Sequence, residues 1–416
     1  MILRTTTSIV LIGLLAASNF VMETAEAGLH SGIRQIFSGP AAYETCALMA
    51  DRRTYCWGFT PGASALGQIG KNFQSMALGR DFRCALTTDG KVSCWGNNGY
   101  SQLGDGTTVS RDTPQPVQYD GSDFDRVTAI SAGYGHVCAI RDGAAWCWGS
   151  NVQSEIGNFT LPATMNAAAP TPVVVNVSGS PPLNNLTYIS AGRFHTCALF
   201  ADTTGACWGY DDYGQLGNNH TLANFNSPQT ILVDSGGLVS LGMGGGLISA
   251  GGYATCALVS DIVANSVACW GYNLQGELGV GTKVDSSTAM AATDERGKIV
   301  DAVDVAEGSY TTCAVMVNTT VRCWGLGADG ELGSGGGSGN VLTGTVLLSD
   351  AGTPFTGAIQ VVAGAQHMCV RTIHDEVYCW GDNTYGQIGS SGGGKIITPT
   401  KVAIDATLFA DGLEGE

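Results

Sequence analysis

The sequence lacks the motifs that would assign a catalytic or metal-dependent function directly. It has no C-x-x-C pair, which is the spacing typical of structural zinc sites. It also has no H-E-x-x-H or S-x-x-K motif and no EF-hand loop. We therefore assign no catalytic, cofactor-binding or metal-binding residue, and we expect a protein without enzymatic activity or cofactor.

Charged residues are scarce, and the basic ones are not clustered. Asp, Glu, Lys and Arg make up 13% of the chain, and the formal net charge is −16. Nucleic acid binding depends on clustered Lys and Arg contacts to phosphates, so we expect no nucleic acid partner. The acidity indicates solubility, with attraction to a basic partner as the alternative.

No apolar run is long enough to cross a bilayer, which takes about 20 residues. The stretch 9–17 follows Arg4 and precedes Ala25-Glu26-Ala27, a small-x-small cleavage pattern. This arrangement is typical of an export signal. We predict a signal peptide at 1–27 and an extracellular or cell-envelope location with no membrane span.

Cysteine, in contrast, is plentiful and regularly placed. The 14 cysteines form seven successive pairs, and an even number in an exported chain predicts disulfides. The predicted pairs are Cys46 with Cys56, Cys84 with Cys94, Cys138 with Cys147, Cys197 with Cys207, Cys256 with Cys269, Cys313 with Cys323, and Cys369 with Cys379.

These pairs mark seven copies of one repeat. Trp-Gly follows the second cysteine of every pair, and a Gly-Gln-Leu-Gly-like motif follows that. The first cysteines of successive copies lie 38 to 59 residues apart, and short β-prone runs flank Asp-Gly-like turns. Such a period with hairpin patterning predicts a seven-bladed all-β propeller. A leucine-rich horseshoe needs shorter repeats and a regular Leu/Asn pattern, which the chain does not have. The seven motifs are Gly67–Gly70, Ser101–Gly104, Ser154–Gly157, Gly214–Gly217, Gly276–Gly279, Gly330–Gly333 and Gly386–Gly389.

Two further residue types recur at fixed places in the repeat. The tryptophan after each second cysteine is interpreted as core between blades, with ligand stacking as the alternative. His136, His195 and His367 stand two residues before a first cysteine. We interpret them as repeat residues that bond to a neighbouring loop; the alternative is a metal or acid–base site on the rim.

The chain ends suggest how the ring closes. Six repeats are followed by a further strand-like segment, and the last of these is 399–404. We expect this C-terminal strand to join the first blade, and the short step from Cys46 to Cys84 to leave blade two with three strands or an irregular edge. The predicted boundaries are a short N-terminal segment at 28–32, the propeller at 33–404 and a tail at 405–416. Longer stretches between motifs, such as 158–185 and 285–296, are expected to project from the ring.

Segments 84–98 and 195–217 resemble the regulator of chromosome condensation repeat. The resemblance covers about 33–404 and departs from the intracellular members in its paired cysteines, a form associated with exported bacterial relatives. The exported members include an inhibitor of β-lactamases, so the resemblance implies protein binding through one propeller face. Two alternatives remain: guanine-nucleotide exchange, as the nuclear member performs, and a lectin or enzyme that uses one propeller face. We expect an extracellular monomer that binds one unidentified protein.

The cysteine spacing makes a chemical prediction. In repeat two a three-residue loop, 88–90, places Cys84 opposite Cys94, and in repeat three a two-residue turn, 142–143, does the same for a pair one residue closer. Opposed Cα atoms lie about 4.5–5.5 Å apart, which a disulfide spans. Non-reducing peptide mapping should find seven bonds within hairpins; free thiols or links between repeats would refute this.

Overall fold

The computed structural model describes residues 32–58, 67–70, 72–162, 165–174, 182–233, 240–241, 247–260, 265–336, 339–390 and 393–404. The predicted signal peptide and C-terminal tail lie outside the described residues. The described residues form strands, turns and loops without an α-helix. In this part of the chain there is accordingly no helix that is long and apolar enough to cross a membrane.

Seven four-stranded antiparallel units follow one another along the chain, and each is built from consecutive strands. Blade one contains β1 (Ile33–Phe37), β2 (Glu44–Met49), β3 (Thr54–Gly58) and β4 (Gly67–Gly70). Blade two contains β5 (Phe73–Leu78), β6 (Phe82–Thr87), β7 (Val92–Gly96) and β8 (Arg111–Pro116), and a small hairpin follows with β9 (Gln118–Tyr119) and β10 (Ser122–Asp123). Blade three contains β11 (Val127–Ala132), β12 (His136–Arg141), β13 (Ala144–Gly149) and β14 (Ala167–Pro172). Blade four contains β15 (Leu186–Ala191), β16 (His195–Phe200), β17 (Gly205–Tyr210) and β18 (Asn224–Thr230).

The last three blades keep the same order. Blade five contains β19 (Ile248–Ala250), β20 (Ala254–Ser260), β21 (Asn265–Gly271) and β22 (Ser286–Ala291), followed by a hairpin of β23 (Thr293–Asp294) and β24 (Gly297–Lys298). Blade six contains β25 (Ala302–Glu307), β26 (Thr311–Met316), β27 (Val321–Gly325) and β28 (Val341–Val346), and β23 extends its outer edge in parallel. Blade seven contains β29 (Ala358–Ala363), β30 (His367–Thr372), β31 (Val377–Asp382) and β32 (Lys395–Lys401). The expected seven-bladed all-β propeller is confirmed.

Each blade carries one disulfide between its second and third strands. The two cysteines of every pair are directly opposed in the strand register, with Cα atoms 4.0–4.1 Å apart. All seven bonds are buried. Seven disulfides are typical of proteins in an oxidising compartment. The structure joins Cys46 with Cys56, Cys84 with Cys94, Cys138 with Cys147, Cys197 with Cys207, Cys256 with Cys269, Cys313 with Cys323, and Cys369 with Cys379.

The opposed Cα atoms lie somewhat closer than the range expected from the sequence. A distance of 4.0–4.1 Å falls below the 4.5–5.5 Å of an ordinary antiparallel pair. The sequence separation of the paired cysteines differs between blades, from 9 for Cys138 and Cys147 to 13 for Cys256 and Cys269. The cysteines stay opposed in every case, and in blade five the extra residues lengthen the paired strands, whose register continues to Ser260 and Asn265.

The repeat tryptophans connect neighbouring blades, which confirms their interpretation as inter-blade core. Among the described contacts, the indole N–H in six blades donates to the carbonyl of the Gln or Glu in the preceding blade's motif. Trp208 donates to Glu155 at 2.9 Å, and Trp57 closes the series by donating to Gln387 at 3.1 Å. The ring of Trp208 is fully buried. The same contact therefore repeats around the ring with a fixed donor and acceptor.

The expected closure by the C-terminal strand is wrong. β32 pairs with β31 in its own blade rather than with blade one. Blade one is completed by its own β4, the Gly-Gln-Ile-Gly motif itself, which pairs with β3. The ring closes through side-by-side packing of β1 against β29, where Gln360 bonds both the N–H and the carbonyl of Ile36 at 3.0 and 2.9 Å.

The short step between the first two repeats has a different cause from the one expected. Blade two has four strands, and its outer strand β8 pairs with β7. The short step instead reflects the brief connection from β3 to the four-residue β4 in blade one. The strand-like segments after each motif are the outer strands of the same blade, so the stretches 158–185 and 285–296, expected to project, contain β14 and β22.

Closure by packing predicts a local weak point. Gln360→Ala removes both hydrogen bonds to Ile36 and leaves the N–H and the carbonyl of Ile36 without this partner. It should therefore lower the unfolding free energy by about 2 kcal/mol. Gln35→Ala, an exposed glutamine on β1, is the matched control and should change it by less than about 0.5 kcal/mol. Denaturant unfolding measures both; equal effects would contradict closure through this contact.

Candidate functional site

One end of the ring gathers two sets of loops. Because strands alternate in direction, the loops between first and second strands and those between third and fourth strands share one end, here called the loop face. The first set comprises residues 38–43, 79–81, 133–135, 192–194, 251–253, 308–310 and 364–366 and surrounds the mouth of the central channel. The second set lies further out. Loops on a rigid scaffold are the usual place for recognition.

The loop face carries a continuous group of aromatic rings, here called the aromatic cluster. Phe194 lies 5.5 Å from Tyr134 and 6.0 Å from Tyr253, measured between ring centroids. Tyr253 stacks on Tyr310 at 6.0 Å, which extends the cluster over blades three to six. These rings are half-buried rather than core. The complete cluster is Tyr134, Phe194, Tyr210, Tyr213, Tyr253, Tyr272 and Tyr310.

Two arginines adjoin this cluster. The Arg193 guanidinium lies over the rings of Tyr134, Phe194 and Tyr253, 5.3 to 5.6 Å from their centroids. Arg80 lies 4.9 Å over Tyr134 and donates to its hydroxyl. Cations are attracted to such ring faces, more strongly where water is excluded.

A cavity of about 210 Å³ opens between the inner loops. Its lining includes Arg80, Arg193, Tyr134 and Tyr310. Six of the seven blades contribute to its described lining, so the cavity does not follow the seven-fold repeat. Burial raises the pKa of Tyr310, so this phenol stays neutral at physiological pH.

Exposed apolar side chains also concentrate on the loop face. Among the described residues, nine of the seventeen large exposed hydrophobic side chains lie in its outer loops. They are Tyr100, Val109, Val152, Phe159, Met165, Leu222, Leu274, Val284 and Tyr385. Leu222 is 80% exposed and Val284 70%. Exposed apolar surface with a polar surround marks interaction sites.

Buried polar side chains hold the outer loops in place. The Asn151 carboxamide oxygen accepts the N–H of Ile156 at 3.1 Å, and Asp211 and Leu216 repeat this contact at 2.9 Å. The motif Gln or Glu accepts the N–H two residues before it: Gln215 from Tyr213 at 3.0 Å and Glu277 from Gln275 at 2.9 Å. These braces were not recognised in the sequence, although the recurrence of Asn or Asp five residues before the motif Leu or Ile was a visible signal.

Four of these braces are carboxyl groups. Burial raises the pKa of Glu155, Asp211, Glu277 and Glu331 to about 7. In other blades the Glu position holds Gln102, Gln215 or Gln387, and the Asp211 position holds Asn in four blades and Gly327 in blade six. An uncharged amide therefore fills the position of each of these carboxyl groups in several blades.

The repeat histidines are structural and separate from one another. Each bonds a threonine on a strand of the next blade, rather than the loop that was expected. His195 Nε2 lies 2.8 Å from Thr255 Oγ1, which itself donates to the Gln215 carbonyl, so the imidazole acts as the donor. Burial lowers the pKa of His136, His195 and His367 to about 3. They remain neutral and do not converge on a shared site.

One grouping of potential metal ligands occurs in the described part of the chain, namely Glu44 with Cys46 and Cys56. The two sulfurs form a disulfide, and a disulfide has no thiolate to donate. Glu44 is paired with Arg83 at 2.6 Å. These residues therefore do not suit a metal ion.

The central channel, about 650 Å³, is lined by the first strands of all blades. Asp304 on β25 accepts the Val361 N–H at 2.8 Å, and burial raises its pKa to about 7. Ser131 and Ser190 make the corresponding contacts to the N–H groups of Ala191 and Ala250. The polar side chains of the channel thus link neighbouring inner strands.

Comparison with known proteins gives the same architecture. A model described as the regulator of chromosome condensation (RCC1) repeat matches residues 89–140, and a second of that description matches 73–102 and 358–387. The chain is 29% identical over 268 residues to the ultraviolet-B receptor UVR8 of Arabidopsis thaliana, covering 64% of this chain and 56% of the receptor. It is 25% identical to human E3 ubiquitin-protein ligase HERC2, covering 77% of this chain and 6% of the ligase. The chain thus spans only part of the length of these relatives.

Two solved structures share the fold. Human WBSCR16 superposes with a TM-score of 0.66 at 19% identity, covering 83% of this chain and 88% of the other. Prp20p of Saccharomyces cerevisiae superposes with a TM-score of 0.61 at 21% identity, covering 80% of each chain. At these identities the likeness extends to the fold alone.

The buried carboxyl braces predict a specific pH dependence. The Glu277 carboxyl has a pKa of about 7 in the folded protein, above its usual value of 4.5. Its contribution to the free energy of unfolding is therefore complete below pH 4.5 and is lost as the pH rises through 7. Glu277→Gln keeps the accepting oxygen and should stabilise the protein by about 2 kcal/mol more at pH 8 than at pH 5. Gln215→Glu is the reverse substitution in the neighbouring blade and should destabilise it at pH 8 but little at pH 5. Denaturant unfolding at both pH values tests this; pH-independent effects would refute it.

Proposed function

Because this chain is a seven-bladed propeller of regulator of chromosome condensation repeats, we propose that it is an extracellular protein-binding module without catalytic turnover. It engages one protein partner across the loop face. The observation that carries the proposal is the concentration of exposed apolar side chains and aromatic rings on that face. The scaffold beneath is rigid, which lowers the ordering cost of binding.

The extracellular location rests on two supports. Seven disulfides are stable in an oxidising compartment. The N-terminal 1–27 reads as an export signal. On this proposal the mature chain begins at Gly28, with the propeller at 33–404 and a short tail at 405–416.

Protein binding also agrees with a fold neighbour. The structure of yeast Prp20p was described together with its binding to Gsp1p and histones. An exchange role like that of the nuclear relative would require a nucleotide-binding partner inside the cell, which the disulfides and the export signal disfavour. We propose no nucleic acid partner, because the net charge of −16 opposes phosphate binding.

The inner loops favour one asymmetric partner over a repeating ligand. A lectin that reads a repeating sugar needs the same pocket on several blades. Here the position after the inner-loop glycine is Arg80, Tyr134, Arg193 or Ser309 in different blades. The three repeat histidines are buried and bonded, so they offer no acid–base group at the surface. A monomer with one asymmetric face fits these observations.

The test replaces exposed apolar residues with Asp on each end of the ring. The partner is captured from the native extracellular milieu with the purified mature chain. Replacing Leu222 and Val284 with Asp places two charges on the loop face and should weaken capture about tenfold or more, since hot-spot residues each contribute over about 1 kcal/mol. Val317→Asp is the control, because Val317 is 65% exposed at a hairpin tip on the opposite end.

Two results would contradict the proposed function. One is that Val317→Asp weakens capture as much as the Leu222 and Val284 substitutions do, because the loop face would then have no special part in binding. The other is turnover of a substrate by the purified mature chain.

A further inference from the structure

Arg193 holds an unusual place among the buried and half-buried arginines of this chain. Its Nε is buried without a hydrogen-bond partner, as are those of Arg111, Arg141 and Arg371. Within the described residues, no ion pair and no side-chain hydrogen bond involves its guanidinium. Aromatic rings surround it instead, those of Tyr134, Phe194 and Tyr253.

Other arginines in similar surroundings have a carboxylate. Arg322, with a side chain 7% exposed, pairs with Asp294 at 3.2 Å and Glu295 at 2.9 Å. Arg141 lies over three aromatic rings as Arg193 does, and it pairs with Asp125 at 3.2 Å. At Arg193 the rings are present and the carboxylate is missing. A partly desolvated cation without an anion is costly, and an arriving anion removes that cost.

The pocket next to Arg193 has the size and charge to accept one anionic group. Its volume is about 210 Å³, and its described lining contains two arginines and no carboxyl group. Tyr43, Tyr310 and Gln366 add hydroxyl and amide groups to the wall. This makes a positive spot at the axis of a chain whose net charge is −16. The net negative charge of the chain disfavours an extended polyanion, whereas a single carboxylate meets the local positive charge of the two arginines.

The second arginine of the pocket, Arg80, donates to the hydroxyl of Tyr134, which lines the same pocket, and its ion pair is weak. Arg80 approaches Asp81 at 3.7 Å, and both side chains are more than 40% exposed. An exposed ion pair of this kind contributes little. Arg80 can therefore turn toward an anion that Arg193 holds.

We propose that this pocket is the anchor site for one carboxylate of the protein partner, held by Arg193 and Arg80. The carboxylate belongs to an Asp or Glu side chain or to the partner's C-terminus. The guanidinium plane offers two parallel N–H donors to a carboxylate, and the rings hold it in place. The inference rests on the proposed protein-binding function and specifies its central contact.

The experiment selects ligands from random sequences, because the partner is unidentified. Two synthetic random peptide libraries, one C-terminally amidated and one with free C-termini, are panned against the mature chain. Peptides from the amidated library should be enriched in Asp or Glu if a side chain is the source; binding confined to the free-acid library assigns the C-terminus. Replacing the acidic residue of a selected peptide with its amide, or amidating its end, should weaken binding about tenfold.

Matched variants place the contact on Arg193. Arg193→Met keeps the apolar stem and should abolish the preference for the acid, so that acid and amide peptides bind equally. Arg80→Gln changes an exposed side chain and should weaken the same preference for the acid. It replaces Arg193→Met as the test if Arg193→Met lowers the melting temperature. Arg296→Gln, 79% exposed on the β23–β24 hairpin, should change nothing.

The outcomes separate the two proposals. Selected peptides without acidic preference that bind Arg193→Met normally, yet lose binding with the Leu222 and Val284 substitutions, overturn the anchor site and leave the loop face as the binding surface. Failure of both libraries to yield any binder counts against the loop face and the anchor site together.

Discussion

The hydrogen bond from a buried indole to the preceding blade is the contact on which the ring depends. A single blade has two apolar faces and cannot bury either alone, so its stability comes from its neighbours. The indole N–H of Trp208 ends on the Glu155 carbonyl, and the same carbonyl lies within reach of Thr196. His136 on the blade before bonds that threonine at 3.0 Å. Tryptophan, threonine and histidine thus form one connected polar unit inside an apolar interface, and it can be satisfied only when adjacent blades are in register.

This unit also explains how the scaffold supports the loop face. The carbonyl that accepts the indole belongs to the residue whose side chain braces the outer loop, as Glu277 does for Trp324 and for the Gln275 N–H. Packing between blades and the shape of the loop are therefore set at one residue. The loops can vary in their exposed positions, from Leu222 to Val284, without change to the inter-blade contact. A varied surface on a constant frame suits recognition of a single asymmetric partner.

Much of the frame could be predicted from the sequence because its parts are local and repeated. Cysteine spacing and hairpin length vary together, so the spacing of Cys138 and Cys147 was enough to predict that they are directly opposed in the strand register. Ring closure was predicted wrongly because no later repeat follows the segment 399–404 to pair with it, and only the pairing of β32 with β31 shows that this part of the chain belongs to its own blade. The pocket was beyond sequence reasoning, because Arg80 and Arg193 are over a hundred residues apart and come together only through the packing of blades two to four around Tyr134.

The central claim is that one end of this propeller binds one protein, and hydrogen–deuterium exchange tests it most directly. Exchange is measured on the mature chain alone and with its captured partner. The account predicts slower exchange in the loops 97–110, 211–223 and 272–285 and at the inner-loop residues 192–194. Protection confined to the opposite hairpin tips, 88–90, 142–143 and 317–320, would contradict it.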